Sequence, residues 1–203
     1  LSTTLSPDGT LSGTITNTTV ATTTSGGYPV VTYIPAGTVV TGPSTEWNGM
    51  IYPLMDNLPV AISASSTVGA LPVSSVEIGF GSTPLAFTNH AVRIVFVGRA
   101  GAAVGFTHDW TIFTPITNVC NADSQAVGDA LAPGDACYID VGSDLVVWTT
   151  HFSSYTGTIP PAPTAKDQCK NGGWQTFTNL HFKNQGQCVS YVQANEKADK
   201  KVN

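Results

Sequence analysis

Before residue 158 the chain breaks into about ten short runs rich in β-branched and aromatic residues, each closed by Gly, Pro, Asn or Asp. That punctuation is the strongest constraint in the sequence. The runs either alternate apolar with polar residues or stay apolar throughout, as strands buried on one or both faces do. No long amphipathic stretch interrupts them. The expected fold is all-β, an antiparallel β-sandwich. "SSVEIGFG", "AVRIVFVG" and "DLVVWTT" are its clearest strands, and turns are expected at Pro7-Asp8-Gly9, Pro35-Ala36-Gly37, Trp47-Asn48-Gly49 and Gly142-Ser143-Asp144.

Charge divides the chain. Residues 1–165 hold no Lys, two Arg and ten acidic residues; residues 166–203 hold six Lys and three acidic residues. The break falls in "IPPAPTAKDQ", where Pro160, Pro161 and Pro163 make a stiff, extended stretch. The expected organisation is a β-sandwich over 1–158, a proline-rich linker over 159–168 and a small segment over 169–203. Within the first part, residues 1–27 read as a Thr-rich strand ending in a Ser25-Gly26-Gly27 hinge. In the last part, Cys188, Val189 and Val192 have helical spacing, and Trp174, Phe177 and Phe182 complete a very small core.

A net charge of -5 and a pI near 5.1 argue against nucleic acid, which needs a basic face. No apolar run approaches the length of a membrane span. The first residue is Leu1, with no leader in view, which reads as a mature or trimmed product. The four cysteines, Cys120, Cys137, Cys169 and Cys188, permit three connectivities. The simplest pairs neighbours, Cys120–Cys137 and Cys169–Cys188, one bridge on each side of the linker. The spacing fits no zinc site, and neither a metal nor a cofactor is expected. Paired cysteines, abundant Thr and Ser and scarce Lys suit an oxidising, extracellular or cell-surface location.

"VVWTTHFSSYTG" contains the one stretch with chemistry in it. In His151-Phe152-Ser153 a hydroxyl stands directly after a carbonyl, with an imidazole two residues upstream. Ser153 Oγ can attack the Phe152 carbonyl while His151, whose ordinary pKa lies near neutrality, takes the proton. The amide becomes an ester by an N→O shift, and water hydrolyses it. A tight, strained turn between two strands is the expected setting. The competing reading is a plain strand, with Phe152 in the core and His151 and Ser153 facing solvent.

The stretch "CYIDVGSDLVVWTTHFSSY" resembles the self-cleaving edge of the GAIN and ZU5-type β-sandwiches, where a His-[Leu/Phe]-[Ser/Thr] triplet lies between the last two strands. "VVTYIPAGTVVTG" resembles the opening strand of ZU5-like domains. The resemblance implies an immunoglobulin/ZU5-like sandwich in which His151 is the base, Phe152 the residue before the cut and Ser153 the nucleophile. It departs from the GAIN pattern in having only Cys120 and Cys137 near the site. "CKNGGW…FKNQGQCVSYV" looks like a tail that recurs on exported bacterial proteins.

Other candidates are weaker. His90, His108 beside Asp109, and His181 are scattered, and a metal site would need several to converge. Tyr33, Trp47, Tyr52, Trp110 and Trp148 offer a carbohydrate platform, although Trp47 and Trp148 read as core. Asn17-Thr18-Thr19 is a glycosylation sequon. The expected function is an exported cell-surface interaction or structural module that cuts itself once between Phe152 and Ser153, its partner another protein or a second copy. Two alternatives stay open: a non-enzymatic subunit of a surface fibre or layer assembled by strand exchange, and a carbohydrate-binding adhesin. A turnover enzyme is not expected.

Overall fold

The computed structural model describes residues 1–56, 71–79, 85–107, 113–159, 163, 165–177, 180 and 182–199. The strands are β1 (Thr3–Leu5), β2 (Thr10–Thr14), β3 (Thr19–Ser25), β4 (Tyr28–Ile34), β5 (Val39–Pro43), β6 (Tyr52–Asp56) and β7 (Leu71–Gly79). After them come β8 (Ala86–Phe87), β9 (Val92–Phe96), β10 (Ala103–Thr107) and β11 (Thr114–Pro115). A short helix, α1 (Gln125–Asp129), precedes β12 (Ala136–Val141), β13 (Asp144–Thr149) and β14 (Ser153–Ile159). Two 3₁₀ turns, Lys166–Cys169 and Gly173–Thr176, lead to α2 (Gln185–Asp199).

The strands form three antiparallel sheets, ordered β1-β2-β5-β8, β11-β10-β14-β7-β6 and β12-β13-β9-β4-β3. The all-β antiparallel fold expected from the run pattern is the one that forms, with the four-stranded sheet as an addition. One buried cluster joins all three sheets. Val30, Ile34, Ile94, Phe96, Leu145 and Val147 of the third sheet meet Val76, Ile78, Val104 and Tyr155 of the second and Val40 and Phe87 of the first. The unbroken apolar run in β13 has a direct cause. Leu145 and Val147 face this core, while Val146 and Trp148 face a second cluster with Ala91, Val95, Cys120 and Cys137. Both faces of β13 are covered, so neither can be polar.

The N-terminal residues pair within their own chain. β1 and β2 form a hairpin around Pro7-Asp8-Gly9, and β3 pairs with β4 over its whole length, Thr19 opposite Ile34 to Ser25 opposite Tyr28. The expected hinge is the two-residue turn of that hairpin: Gly26 and Gly27 have φ of 59° and 79°, the left-handed pair that a tight right-twisted hairpin requires. Ser25 is then locked by buried hydroxyls. Its Oγ donates to Ser75 O at 2.9 Å, and Ser74 Oγ donates to Ser25 O at 3.1 Å, tying the edge of the third sheet to β7 of the second.

Both disulfides form as expected, Cys120–Cys137 and Cys169–Cys188. The second ties α2 to the first 3₁₀ turn around a separate cluster of Phe177, Phe182 and Val192, with Trp174 and Val189 half-buried against it. A piece this small needs such a staple. Of the expected linker, residues 160–162 and 164 lie outside the described residues, Pro160 and Pro161 among them; Pro163 is buried.

Candidate self-cleavage site

The His-Phe-Ser triplet lies where the chain leaves one sheet and enters another. β13 ends at Thr149 in the third sheet, and β14 begins at Ser153 in the second, between β10 and β7. Residues 150–152 are a short crossover between the two sheets, with a bend at Thr150 where a tight turn was expected. Among the described non-glycine residues only Asn171 has a positive φ, so the triplet contains no left-handed residue.

The crossover is held on two sides. On one side Phe87 N–H donates to Thr150 O at 3.0 Å and Phe152 N–H donates to Leu85 O at 3.1 Å. On the other side stands the loop closed by Cys120–Cys137. Thr150 N–H donates to Asp135 O at 3.1 Å, Gly134 N–H donates to Thr150 Oγ1 at 2.9 Å, and that hydroxyl reaches Ala132 O at 3.0 Å. These bonds fix the direction in which residue 151 leaves Thr150.

All three triplet side chains are buried: His151 is 5 % exposed, Phe152 4 % and Ser153 6 %. This corrects the plain-strand reading, in which His151 and Ser153 would be wet. The Phe152 ring stacks on Phe87 with centroids 4.0 Å apart. Behind it lies Gly79, where an added Cβ would sit 3.2 Å from Phe152. His151 Nδ1 lies 2.9 Å from Ser153 Oγ, and Ser153 Oγ lies 2.6 Å from the Phe152 carbonyl oxygen. The edge of Phe106 covers the imidazole at 4.4 Å between centroids.

The hydroxyl of Ser153 has one proton, and both His151 Nδ1 and the Phe152 carbonyl oxygen lie within its reach. Directed to His151 Nδ1, it leaves an oxygen lone pair beside the Phe152 carbonyl, and the base is already in contact. Directed to the carbonyl, it polarises the Phe152–Ser153 amide. Both arrangements serve acyl transfer.

Tyr155 completes the cluster and was missed from the sequence. Its hydroxyl donates to His151 O at 2.8 Å, lies 3.2 Å from His151 Nδ1 and 2.5 Å from Thr149 Oγ1. Burial pushes this phenol far above its usual range, so it remains a protonated donor. The signal was present: residues 151, 153 and 155 alternate along an extended chain and share a face.

The remaining candidates are dispersed. His90 Nδ1 lies 2.9 Å from Asp129 Oδ2 on the surface. Burial alone would raise the Asp129 carboxyl, but bonds from His90, Ala91 N–H and Gln125 outweigh it and hold the group below its usual range. Arg93 grips Asp123 with two bonds, Nε to Oδ1 at 2.8 Å and a terminal nitrogen to Oδ2 at 2.5 Å, and Trp148 Nε1 donates to Asp123 Oδ1 at 3.0 Å. Hydrogen bonding to Arg93 holds the Asp123 carboxyl below its usual range. Trp47 and Trp148 are core, as expected, at 2 % and 3 % exposure. Tyr33 and Tyr52 are exposed but stand on different sheets. His108, Asp109, Trp110 and His181 lie outside the described residues. Among the described residues no three His, Cys, Asp or Glu gather as a metal site, and no helix is long and apolar enough to cross a membrane.

The chain is a mostly antiparallel β-sheet protein with two disulfides, and it matches no known protein-family model, no curated protein and no solved structure.

Proposed function

We propose that this chain is an exported, disulfide-stapled β-sheet module whose one reaction is to cut its own backbone between Phe152 and Ser153. The observation that carries the reading is the 2.9 Å contact between His151 Nδ1 and Ser153 Oγ inside a buried crossover, with the Phe152 carbonyl oxygen 2.6 Å from the same Oγ. A histidine two residues before a serine on a solvated strand would have no reason to be held this way.

The reaction follows from those contacts. His151 Nδ1 takes the Ser153 hydroxyl proton as Oγ bonds to the Phe152 carbonyl carbon, closing a five-membered ring. The imidazolium returns the proton to the Ser153 nitrogen, and the C–N bond breaks. Phe152 is now esterified to Ser153 Oγ, and Ser153 carries a free amine. One water then splits the ester into a Phe152 carboxyl and the Ser153 hydroxyl. The new amino terminus is the first residue of β14, whose register with β10 runs from Ala103 opposite Thr158 to Thr107 opposite Ser154. β14 also pairs with β7 from Ile78 to Leu71. Two ladders hold the strand after the cut, so the module persists as two chains in one body. The resemblance to GAIN and ZU5-type sandwiches supports the reading through the triplet alone. Two disulfides suit an oxidising compartment and support export.

The alternatives have less to rest on. Strand exchange through residues 1–24 competes with the full pairing of β3 to β4 in the same chain. A carbohydrate platform loses Trp47 and Trp148 to the core.

Intact mass spectrometry with a denaturing gel tests the proposal. Wild type is expected to yield two pieces whose masses sum to the chain plus one water, and Ser153→Ala a single chain. Wild type that stays whole through prolonged incubation at neutral pH refutes it.

A further inference from the structure

We propose that Tyr155, with Thr149 behind it, is the positioning residue that keeps His151 Nδ1 available to Ser153; the inference rests on the self-cleavage reading above. His151 N–H donates to Thr149 Oγ1 at 3.2 Å. Thr149 Oγ1 lies 2.5 Å from the Tyr155 hydroxyl oxygen, and the Tyr155 hydroxyl donates to His151 O at 2.8 Å. The chain of bonds starts on the amide of residue 151 and ends on its carbonyl. It therefore clamps both peptide groups that flank the imidazole.

The same phenol stands 3.2 Å from Nδ1. A proton delivered there from Tyr155 would fill the lone pair that Ser153 needs. Two features direct it elsewhere. The His151 carbonyl is a closer acceptor than Nδ1, and Thr149 Oγ1, receiving a bond from His151 N–H, has a proton of its own that can go to the phenol oxygen at 2.5 Å or to His151 O at 3.3 Å. In this assignment the tyrosine proton goes to the carbonyl, at 2.8 Å, rather than to Nδ1, at 3.2 Å. Nδ1 is left as the acceptor of the Ser153 proton, with the imidazole in its Nε2–H form. Tyr155 also bonds to the Ser153 side chain, but its assigned role runs through His151. It acts through the orientation and tautomer of the base.

Tyr155 is 0 % exposed and sits two residues after Ser153 on the same face of β14. A hydrophobic ring alone would serve the core there. The hydroxyl is the part that needs explaining, because a buried O–H is costly unless it is bonded. Its bonds go to Thr149, His151 and the Ser153 side chain.

The test uses Tyr155→Phe, which keeps the ring, and two variants of its neighbour, Thr149→Ser and Thr149→Val. Freshly unfolded and refolded full-length chain is followed by gel, with and without hydroxylamine, which traps the ester and so separates the acyl shift from hydrolysis. General-base assistance contributes ~10²–10⁴-fold, so a misdirected base is expected to slow the acyl shift about tenfold or more in Tyr155→Phe and Thr149→Val. Thr149→Ser keeps the hydroxyl and the wild-type rate. In the uncuttable Ser153→Ala background, imidazole nitrogen NMR shifts report the His151 tautomer: Nε2–H with Tyr155 present, a mixture in Tyr155→Phe. A Tyr155→Phe chain cut at the wild-type rate overturns the proposal while leaving self-cleavage intact. A slowed rate with unchanged His151 shifts overturns it too, since the phenol would then act through stability alone. Wild type that is never cut overturns both readings.

Discussion

Replacing Cys120 and Cys137 by Ser, in a Ser153→Ala background that removes the proposed nucleophile, opens the loop that carries α1. The bridged residues are 17 apart in sequence. Closing a loop of that length removes about 3 kcal/mol of chain entropy from the unfolded state. The folded-to-unfolded ratio should fall by roughly a hundredfold or more. Urea denaturation followed by tryptophan fluorescence is the assay, with Trp148 as a reporter, since its indole bonds to Asp123 on that loop. The midpoint should drop with little change in slope. The loop also supplies the Asp135, Gly134 and Ala132 bonds to Thr150, directly upstream of the triplet. Amide exchange at Thr150 should accelerate in the same variant, and a chain that retains Ser153 should cut more slowly. A loss below about 1 kcal/mol would refute the reasoning. It would mean that Arg93–Asp123 and His90–Asp129, which also hold the loop, restrain it without the staple.

Two further outcomes follow from single side chains. Gly79→Ala places a Cβ 3.2 Å from Phe152 at a φ of 139°. A non-glycine residue there costs about 1–3 kcal/mol; a urea midpoint equal to wild type would contradict this, and cleavage should slow as Phe152 shifts. Asp123→Asn removes a carboxylate whose folded pKa is depressed by its bond to Arg93. That stabilisation is present above the unfolded value of about 4 and is lost as pH falls through the lower folded value. The variant should be less stable by about 1 kcal/mol at pH 7, with the gap closing toward pH 3; a gap independent of pH would contradict the assignment.

How much of this was legible in the sequence depends on the range of the interaction. Along one strand, side chains two residues apart share a face. That is enough to set His151 beside Ser153, and it would have been enough to add Tyr155 had the alternation been followed two residues further. The apolar run in β13 announced burial on both faces, and the neighbouring cysteines on either side of the proline stretch announced their pairing through short loop closure. The strand-like character of residues 19–25 was equally local.

Tertiary structure decided which sheet each strand joins. Nothing near Thr150 states that the chain changes sheets there, because the partners that fix the change are Leu85, Phe87 and the Asp135 loop, none of them adjacent in sequence. The same holds for Ser25-Gly26-Gly27. Two glycines permit a free hinge and a tight turn equally well, and only the ladder to β4 and the buried bonds to Ser74 and Ser75 select the turn. Arg93 with Asp123, 30 residues apart, had no sequence signature at all. Side-chain alternation and short loop closure are properties of a few consecutive residues and can be read directly. Strand order, and with it the burial that surrounds the triplet with Phe106, Phe87 and Tyr155, arises from backbone hydrogen bonds and apolar contacts between distant segments, and exists only once the sheets have assembled.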